Sequence, residues 1–267
     1  MKPPLFIIAL ALAMPSCAHR SSFSTSPHST SAETARDLTI ATYNIYVGNR
    51  DLKQSVAVIR KMNADVVALQ EVTASSAAIL DKEFSGEYPH RYFSTGLGLM
   101  SRLPMRNQRF ERSQRGINGF VFAEIVHRGR RIQVANLHLD PLHLWTLPDL
   151  ATLPFQLRRQ RQIQREELTQ ALQSIIPGKP ALLVGDFNRV GNDVIDQLKS
   201  LGYVDSFAVI QSLPDAIATL HFCILGIHCG HRIDFIFHDP SFQTHESIVF
   251  DGEPSDHDAL ASRLHLQ

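Results

Sequence analysis

The sequence predicts a layered α/β domain running from Asp37 to the C-terminus, on two observations. Short β-branched or apolar runs alternate with longer stretches of helical period, and polar residues recur where the short runs end. The first run, Leu38-Thr39-Ile40-Ala41-Thr42-Tyr43, alternates as a strand does, and Leu52, Val56 and Ile59 then fall at i, i+4 and i+7 on one helix face. A second strand is expected over Asp65–Leu69. Thr73 is placed to cap a helix through Ala78 and Leu80, and Gly96–Met100 reads as the next strand. Phe120–Val126 should pair with Arg131–Leu137 across a turn at His127-Arg128-Gly129-Arg130. The longest helix is expected over Gln156–Ile176, with Leu168, Leu172 and Ile175 on one face and Pro177-Gly178 as its stop. Ala181–Val184 is the following strand, and the last two strands are expected at Ile233–Phe237 and Ser247–Phe250. No internal repeat is visible, and 267 residues suffice for one domain with a sizeable core.

Charge excludes one class of behaviour. Lys plus Arg and Asp plus Glu number 26 each, so no global field draws the chain to nucleic acid or to an anionic membrane. Any anion-binding surface must be local. Three arginine clusters are candidates: Arg106, Arg109, Arg112 and Arg115; Arg128, Arg130 and Arg131; and Arg158, Arg159, Arg161 and Arg165 on the long helix.

The N-terminus reads as an export signal over residues 1–17. Lys2 is its positive end, and Leu5–Met14 is an apolar run too short to span a bilayer comfortably. Met14-Pro15-Ser16-Cys17 resembles the lipobox of bacterial lipoproteins, which makes Cys17 the lipidated residue and the protein a membrane-anchored lipoprotein of the cell envelope. Ordinary cleavage after Ala13 or Ala18, giving a secreted or periplasmic protein, is the second reading. Residues 18–36 are Ser/Thr-rich without apolar period, the composition of a disordered tether with a reach of about 25 Å. In an oxidising compartment Cys223 and Cys229 are expected to form a disulfide across a short loop. The neighbouring His221, His228 and His231 fit no common zinc framework.

Six short segments carry the chemistry: Thr42-Tyr43-Asn44, Leu69-Gln70-Glu71, Asn136-Leu137-His138, Gly185-Asp186-Phe187-Asn188, Arg232-Ile233-Asp234 and Ser255-Asp256-His257. Each alone has an ordinary explanation as a turn, a cap or a solvated charge. Their residues and chain order together resemble the endonuclease/exonuclease/phosphatase superfamily, and Gly98-Leu99-Met100-Ser101-Arg102-Leu103-Pro104 looks like the strand and turn before the family's middle strands. The resemblance spans about Thr39 to the C-terminus, making residues 37–267 the catalytic domain. It implies a four-layer sandwich, two packed β-sheets flanked by helices, with the active site along one edge of the paired sheets.

Physical chemistry adds an independent reason for a single site. Glu71, Asp186 and Asp256 gathered around an anionic phosphodiester repel one another unless a cation intervenes, and oxygen ligands suit Mg²⁺ or Mn²⁺ better than zinc. Glu71 is the first-ranked ligand, with Asn44 and Asp256 beside it. By resemblance, Asp186 orients or deprotonates the attacking water, Asn188 bonds the phosphoryl oxygens, and His257, backed by Asp234, sits against the scissile phosphate. His138 stands where nuclease and sphingomyelinase-like branches carry a histidine that contacts phosphate or protonates the leaving group. The sequence leaves open whether Asp186 or His257 is the base. No Gly-x-Ser-x-Gly elbow points to a serine hydrolase.

The expected activity is a metal-dependent phosphodiesterase on nucleic acid, acting as a monomer. A phospholipid or sphingomyelin-type substrate is the alternative. It rests on the apolar insertion Pro141–Pro148 and Leu150–Phe155, which holds the chain's single Trp, Trp145. A catalytically silent binding lipoprotein is a third reading, and none of the matched motif positions is vacant.

Overall fold

The computed structural model describes residues 37–49, 51–142, 152–224 and 226–267. The expected export signal, Cys17, the expected tether and most of the apolar insertion lie outside the described residues. Strand β1 (Asp37–Asn44) is followed by helix α1 (Leu52–Met62), β2 (Val66–Val72), α2 (Ala74–Glu83), β3 (His90–Ser94), β4 (Gly96–Ser101) and β5 (Met105–Arg112). Then come β6 (Gly119–His127), β7 (Arg130–His138), α3 (Leu153–Gln173), β8 (Ala181–Asp186), α4 (Asp193–Ser200), β9 (Val204–Asp205) and α5 (Ser206–Ile210). The chain continues through β10 (Leu220–Ile224), β11 (Ile227–His231), β12 (Asp234–His238), β13 (Phe242–Phe250) and β14 (Ala259–Leu266).

Two six-stranded mixed sheets form, in the orders β13-β14-β1-β2-β4-β3 and β5-β6-β7-β8-β12-β9, with β10 and β11 as a separate hairpin. The period of two along each strand decides which layer a side chain enters. Leu38 and Ile40 of β1, Val66 and Ala68 of β2, Ile132 and Val134 of β7 and Leu182 and Val184 of β8 meet in the core between the sheets. The alternate residues Ala41, Tyr43, Val67 and Leu69 pack on Val56, Ile59 and Met62 of α1 and Leu80 of α2. On the far side, Leu137, Leu183, Phe235 and Phe237 pack on Leu168 and Ala171 of α3 and Val194, Ile195 and Leu198 of α4. The result is the four-layer sandwich.

Local rules explain several boundaries. Thr73 caps α2, its hydroxyl accepting the Ser76 N–H at 3.1 Å. The β6–β7 hairpin turns on Arg128 and Gly129, both at positive φ (51° and 77°), the two-residue turn whose twist matches a hairpin. The long helix begins at Leu153 and ends at Gln173, three residues earlier at each end than its periodicity suggested.

Two expectations are corrected. The last strand is β14, not Ser247–Phe250, and it lies centrally, antiparallel to β1 from Asp37↔His265 to Thr42↔Leu260 and to β13 on its other edge. The expected disulfide is absent: Cys223 and Cys229 are both free. Cys223 stands opposite His228 and Cys229 opposite Phe222, so the cysteines are one position out of register and their side chains leave opposite faces of the hairpin. Among the described residues no helix is long and apolar enough to cross a membrane.

Candidate active site

The alternation that fills the inter-sheet core also builds the site, because the inward-facing series ends in polar residues at one end of several strands. Continuing the inward positions gives Asn44 on β1, Gln70 on β2, Asn136 and His138 on β7, Asp186 on β8 and Asp234 on β12. Strand register sets three of them in a row: His138 pairs with Asp186 in parallel, and Asp186 with Asp234 in antiparallel.

Beneath this row the sheets are joined by amides. Gln70 Nε2 donates to Thr42 Oγ1 at 3.0 Å and, across the sandwich, to Asn136 Oδ1 at 2.7 Å. Asn136 Nδ2 donates to the carbonyls of Leu69 (3.0 Å) and Gly98 (2.8 Å) in the opposite sheet. All these groups are buried, so the ladder leaves few polar atoms unpaired and fixes one sheet against the other.

Asp186 is the centre. Its Oδ2 receives Asn44 Nδ2 at 3.0 Å and lies 3.7 Å from His138 Nε2 and 3.8 Å from His257 Nε2, while Oδ1 accepts the Asn188 N–H at 2.8 Å. Burial raises its pKa, and the neighbouring Asp234 charge adds to this against the pull of His257, His138 and the Asn188 N–H. Close packing holds it there. A Cβ on Gly185 would lie 2.0 Å from the Leu137 carbonyl oxygen, and Gly185 has φ of 136°. Asn188 has φ of 42° and donates its side-chain amide to the Leu139 carbonyl at 2.9 Å.

His257 reaches the row from the loop before β14. Its Nδ1 bonds Asp234 Oδ2 at 2.9 Å, and its N–H is taken by Ser255 Oγ, which itself donates to the Asn44 carbonyl at 2.7 Å. Burial alone would lower the imidazole pKa, but the charge and hydrogen bond of Asp234, with Asp186 and Asp256, raise it to about 10. The surrounding carboxylates therefore favour the imidazolium form. Asp234 is steadied by Thr219, whose Oγ1 accepts the N–H groups of Ile233 and Asp234.

Glu71 is the bulged residue of β2, between Gln70↔Leu97 and Val72↔Gly96, with φ of 58°. The bulge turns its carboxylate to the rim, where Oε2 accepts the Val47 N–H at 2.7 Å and Oε1 meets Asn44 Nδ2 at 3.2 Å. Strain at a rim carboxylate is characteristic of functional positions. Asp256 stands nearby, its pKa raised by burial and, against the pull of His257, by the charges of Glu71 and Asp186. Its Oδ1 is buried without a hydrogen-bond partner. A dehydrated carboxylate oxygen with no donor, next to a second carboxylate, fits a site for a hard cation.

All eight site residues expected from sequence thus gather at one rim. Asn44 differs in detail, because its Oδ1 accepts the Tyr46 N–H at 3.0 Å and its amide nitrogen bridges Glu71 and Asp186. Sequence reasoning missed the supports: Thr219, and the α3 residues Gln160, Gln164 and Glu167. Gln164 Nε2 donates to the carbonyls of Asp140 (2.9 Å) and Asn188 (2.7 Å), and Glu167 Oε2 accepts the Asp140 N–H. Their role shows only in the fold, where Gln160, Gln164 and Glu167 are buried on the inner face of α3. The arginine clusters are partly neutralised by Arg109–Glu111, Arg115–Glu166, Arg131–Glu124 and Arg161–Asp193 pairs.

Solved structures share this architecture. An endonuclease/exonuclease/phosphatase from Beutenbergia cavernae superposes with a TM-score of 0.67 at 19% identity, covering 86% of this chain and 72% of its own. D. rerio TDP2 complexed with a single strand DNA product gives 0.68 at 16% identity, covering 85% and 98%. The beta toxin from Staphylococcus aureus gives 0.57 at 16% identity, covering 84% and 99%. At such identities the likeness is one of fold. No curated protein matches the sequence. The family model for the Endonuclease/Exonuclease/phosphatase family matches residues 41–257, the span holding every rim residue described above, and the chain belongs to that family.

Proposed function

We propose that the protein is a divalent-metal-dependent phosphodiesterase that hydrolyses nucleic acid by in-line attack of water. The observation that carries this reading is the buried Asp186 carboxylate flanked by two imidazoles and an amide, beside the Glu71–Asp256 carboxylates. Glu71 and Asp256, with Asn44 adjoining, would hold the cation. A bound Mg²⁺ or Mn²⁺ supplies positive charge against the phosphoryl oxygens.

The chain's own groups divide the remaining work. Asp186, with Oδ2 at the centre of the rim, orients the attacking water and takes its proton. His257, held as an imidazolium, contacts the phosphate oxygens as a cation, and Asp234 fixes its ring through Nδ1. His138, whose Nε2 lies 3.7 Å from Asp186 Oδ2, protonates the leaving oxygen. Asn188 gives one amide hydrogen to Leu139 and offers the second to a phosphoryl oxygen.

Two features support nucleic acid. An open depression of about 600 Å³ on the α3–α4 flank is lined by Arg158, Arg161 and Arg165 together with Glu166 and Asp193, and Arg161 sits against Gly191 in the loop after Asn188. A structure of the same fold, D. rerio TDP2, is complexed with single strand DNA product. The test is cleavage of plasmid DNA, RNA, sphingomyelin and bis-p-nitrophenyl phosphate, with Mg²⁺, Mn²⁺ or chelator. Metal-dependent cleavage of nucleic acid, lost in His257→Ala, is expected. Cleavage of sphingomyelin alone moves the substrate to lipid, and a folded, metal-loaded protein inert on all four overturns the hydrolase.

We also propose that the domain acts outside the cytoplasm, anchored through Cys17. Lys2, the apolar run to Met14 and the Ser/Thr-rich tether support this. Cys17→Ala should release the protein from the membrane fraction, and unchanged fractionation would refute the anchor.

A further inference from the structure

A second group of metal-type donors lies far from the rim. Asp37 begins β1 and Asn44 ends it, so the two are separated by about 23 Å along the strand. At the Asp37 end, His245 Nδ1 lies 3.0 Å from Asp37 Oδ2 and His265 Nδ1 3.1 Å from Asp37 Oδ1. The two rings stack with centroids 5.3 Å apart and planes within 15°, presenting the same nitrogen to one carboxylate. We propose that Asp37, His245 and His265 form a structural site for a borderline transition metal such as Zn²⁺, distinct from the rim around Asp186.

The backbone is arranged for it. His265 faces Asp37 across the β1–β14 ladder, and His245 is the extra residue of a bulge in β13, between Thr244↔Leu264 and Glu246↔Arg263. Without that extra residue the β13 side chain would follow the regular alternation. The three donor atoms lie within 4.8 Å of one another. Ligands at about 2.0–2.1 Å from a tetrahedral ion stand roughly 3.3 Å apart, so binding requires the Nδ1 contacts to the two Asp37 oxygens, 3.0 and 3.1 Å, to open slightly and all three donors, now within 4.8 Å, to settle at that spacing. Two imidazoles and one carboxylate favour Zn²⁺, Ni²⁺ or Cu²⁺ over Mg²⁺, and a water completes four-coordination.

The surroundings allow entry and hold the ligands. Asp37 is buried, whereas the histidine side chains keep 23% and 22% of their surface exposed. Arg263 Nη1 bonds Asp37 Oδ2, the oxygen that His245 also contacts, at 3.0 Å, and its Nε faces Glu246 at 3.4 Å, so the guanidinium orients the carboxylate while Glu246 offsets its charge. A bound ion would clamp β1, β14 and β13 at that end.

The test is zinc titration of the whole chain against a chromophoric chelator in excess Mg²⁺, with Co²⁺ absorption as a second readout. His245→Asn and His265→Asn each keep a donor for Asp37 but remove the metal-binding nitrogen. One equivalent of Zn²⁺ and a visible Co²⁺ band are expected, weakened at least tenfold in either variant and kept in His257→Ala. Circular dichroism confirms that the variants fold. No Zn²⁺ binding by the wild type, undiminished binding in both asparagine variants, or loss in His257→Ala instead would overturn the site.

Discussion

Asp234 and His257 come from different segments, yet Asp234 Oδ2 and His257 Nδ1 share a hydrogen bond of 2.9 Å, with both side chains almost wholly buried. The pair explains why the pKa of a ring whose burial favours neutrality is instead raised, to about 10. Asp234→Asn keeps the shape and removes the charge. The imidazole should then titrate well below that value, and kcat should fall on the order of 10²-fold or more while KM changes little. Imidazole titration by NMR and steady-state kinetics check the two halves separately, and an unmoved titration would break the link.

Gly185 cannot carry a side chain. A methyl there would overlap the Leu137 carbonyl oxygen at 2.0 Å, in a backbone conformation with φ of 136°. Gly185→Ala should therefore destabilise the fold by about 3 kcal/mol or more, seen as a lower urea midpoint, because β7 and β8 must separate. A midpoint within error of wild type would mean that the strands yield more easily than close packing allows.

Asn136→Leu tests the amide ladder. The variant leaves the Leu69 and Gly98 carbonyls and Gln70 Nε2 without this partner inside the sandwich. A loss of about 3 kcal/mol is expected, since each stranded buried group costs roughly 1–3 kcal/mol. Chemical denaturation measures it.

Glu167 gives a pH signature. Burial pushes its carboxyl up from 4.5 to about 7. Between these values the folded protein holds a proton that the unfolded chain has shed. Its contribution to stability is therefore full below 4.5 and lost as pH rises through 7. Glu167→Gln lacks this dependence, so its stability relative to wild type should improve from pH 5 to pH 8, by at most about 3 kcal/mol. A constant difference across that range would place the carboxyl's titration elsewhere.

Much of the fold is legible in the sequence, and the exceptions have physical causes. The β-branched run through Ile40, the Thr73 cap and the Arg128-Gly129 turn declare themselves locally, and so did the rim, because its residues end strands that are themselves strongly patterned. Ala259–Leu266 escaped because Ala259, Ala261 and Ser262 are small residues chosen for fit between two neighbours, with no β-branched side chain to announce a strand. Strand β5, Met-Arg-Asn-Gln-Arg-Phe-Glu-Arg, is an edge strand with mostly polar positions, half of them exposed, which reads as a loop. The cysteine pairing failed because closeness in sequence carries no information about which face of a hairpin each thiol leaves. Support by Thr219 and Gln164 depends on tertiary contacts that no spacing encodes.

The placement of β14 also sets when the rim can exist. Strand β13 has no other neighbour in its sheet, and His257 hangs from the segment that leads directly into β14. In chain order the rim's imidazolium therefore arrives last, together with the strand that closes the sheet. During synthesis the earlier carboxylates and amides would be assembled without it, so completion of the rim and completion of the sheet become a single event. A chain caught part-way would carry most of the rim's chemistry in sequence and none of it in working order.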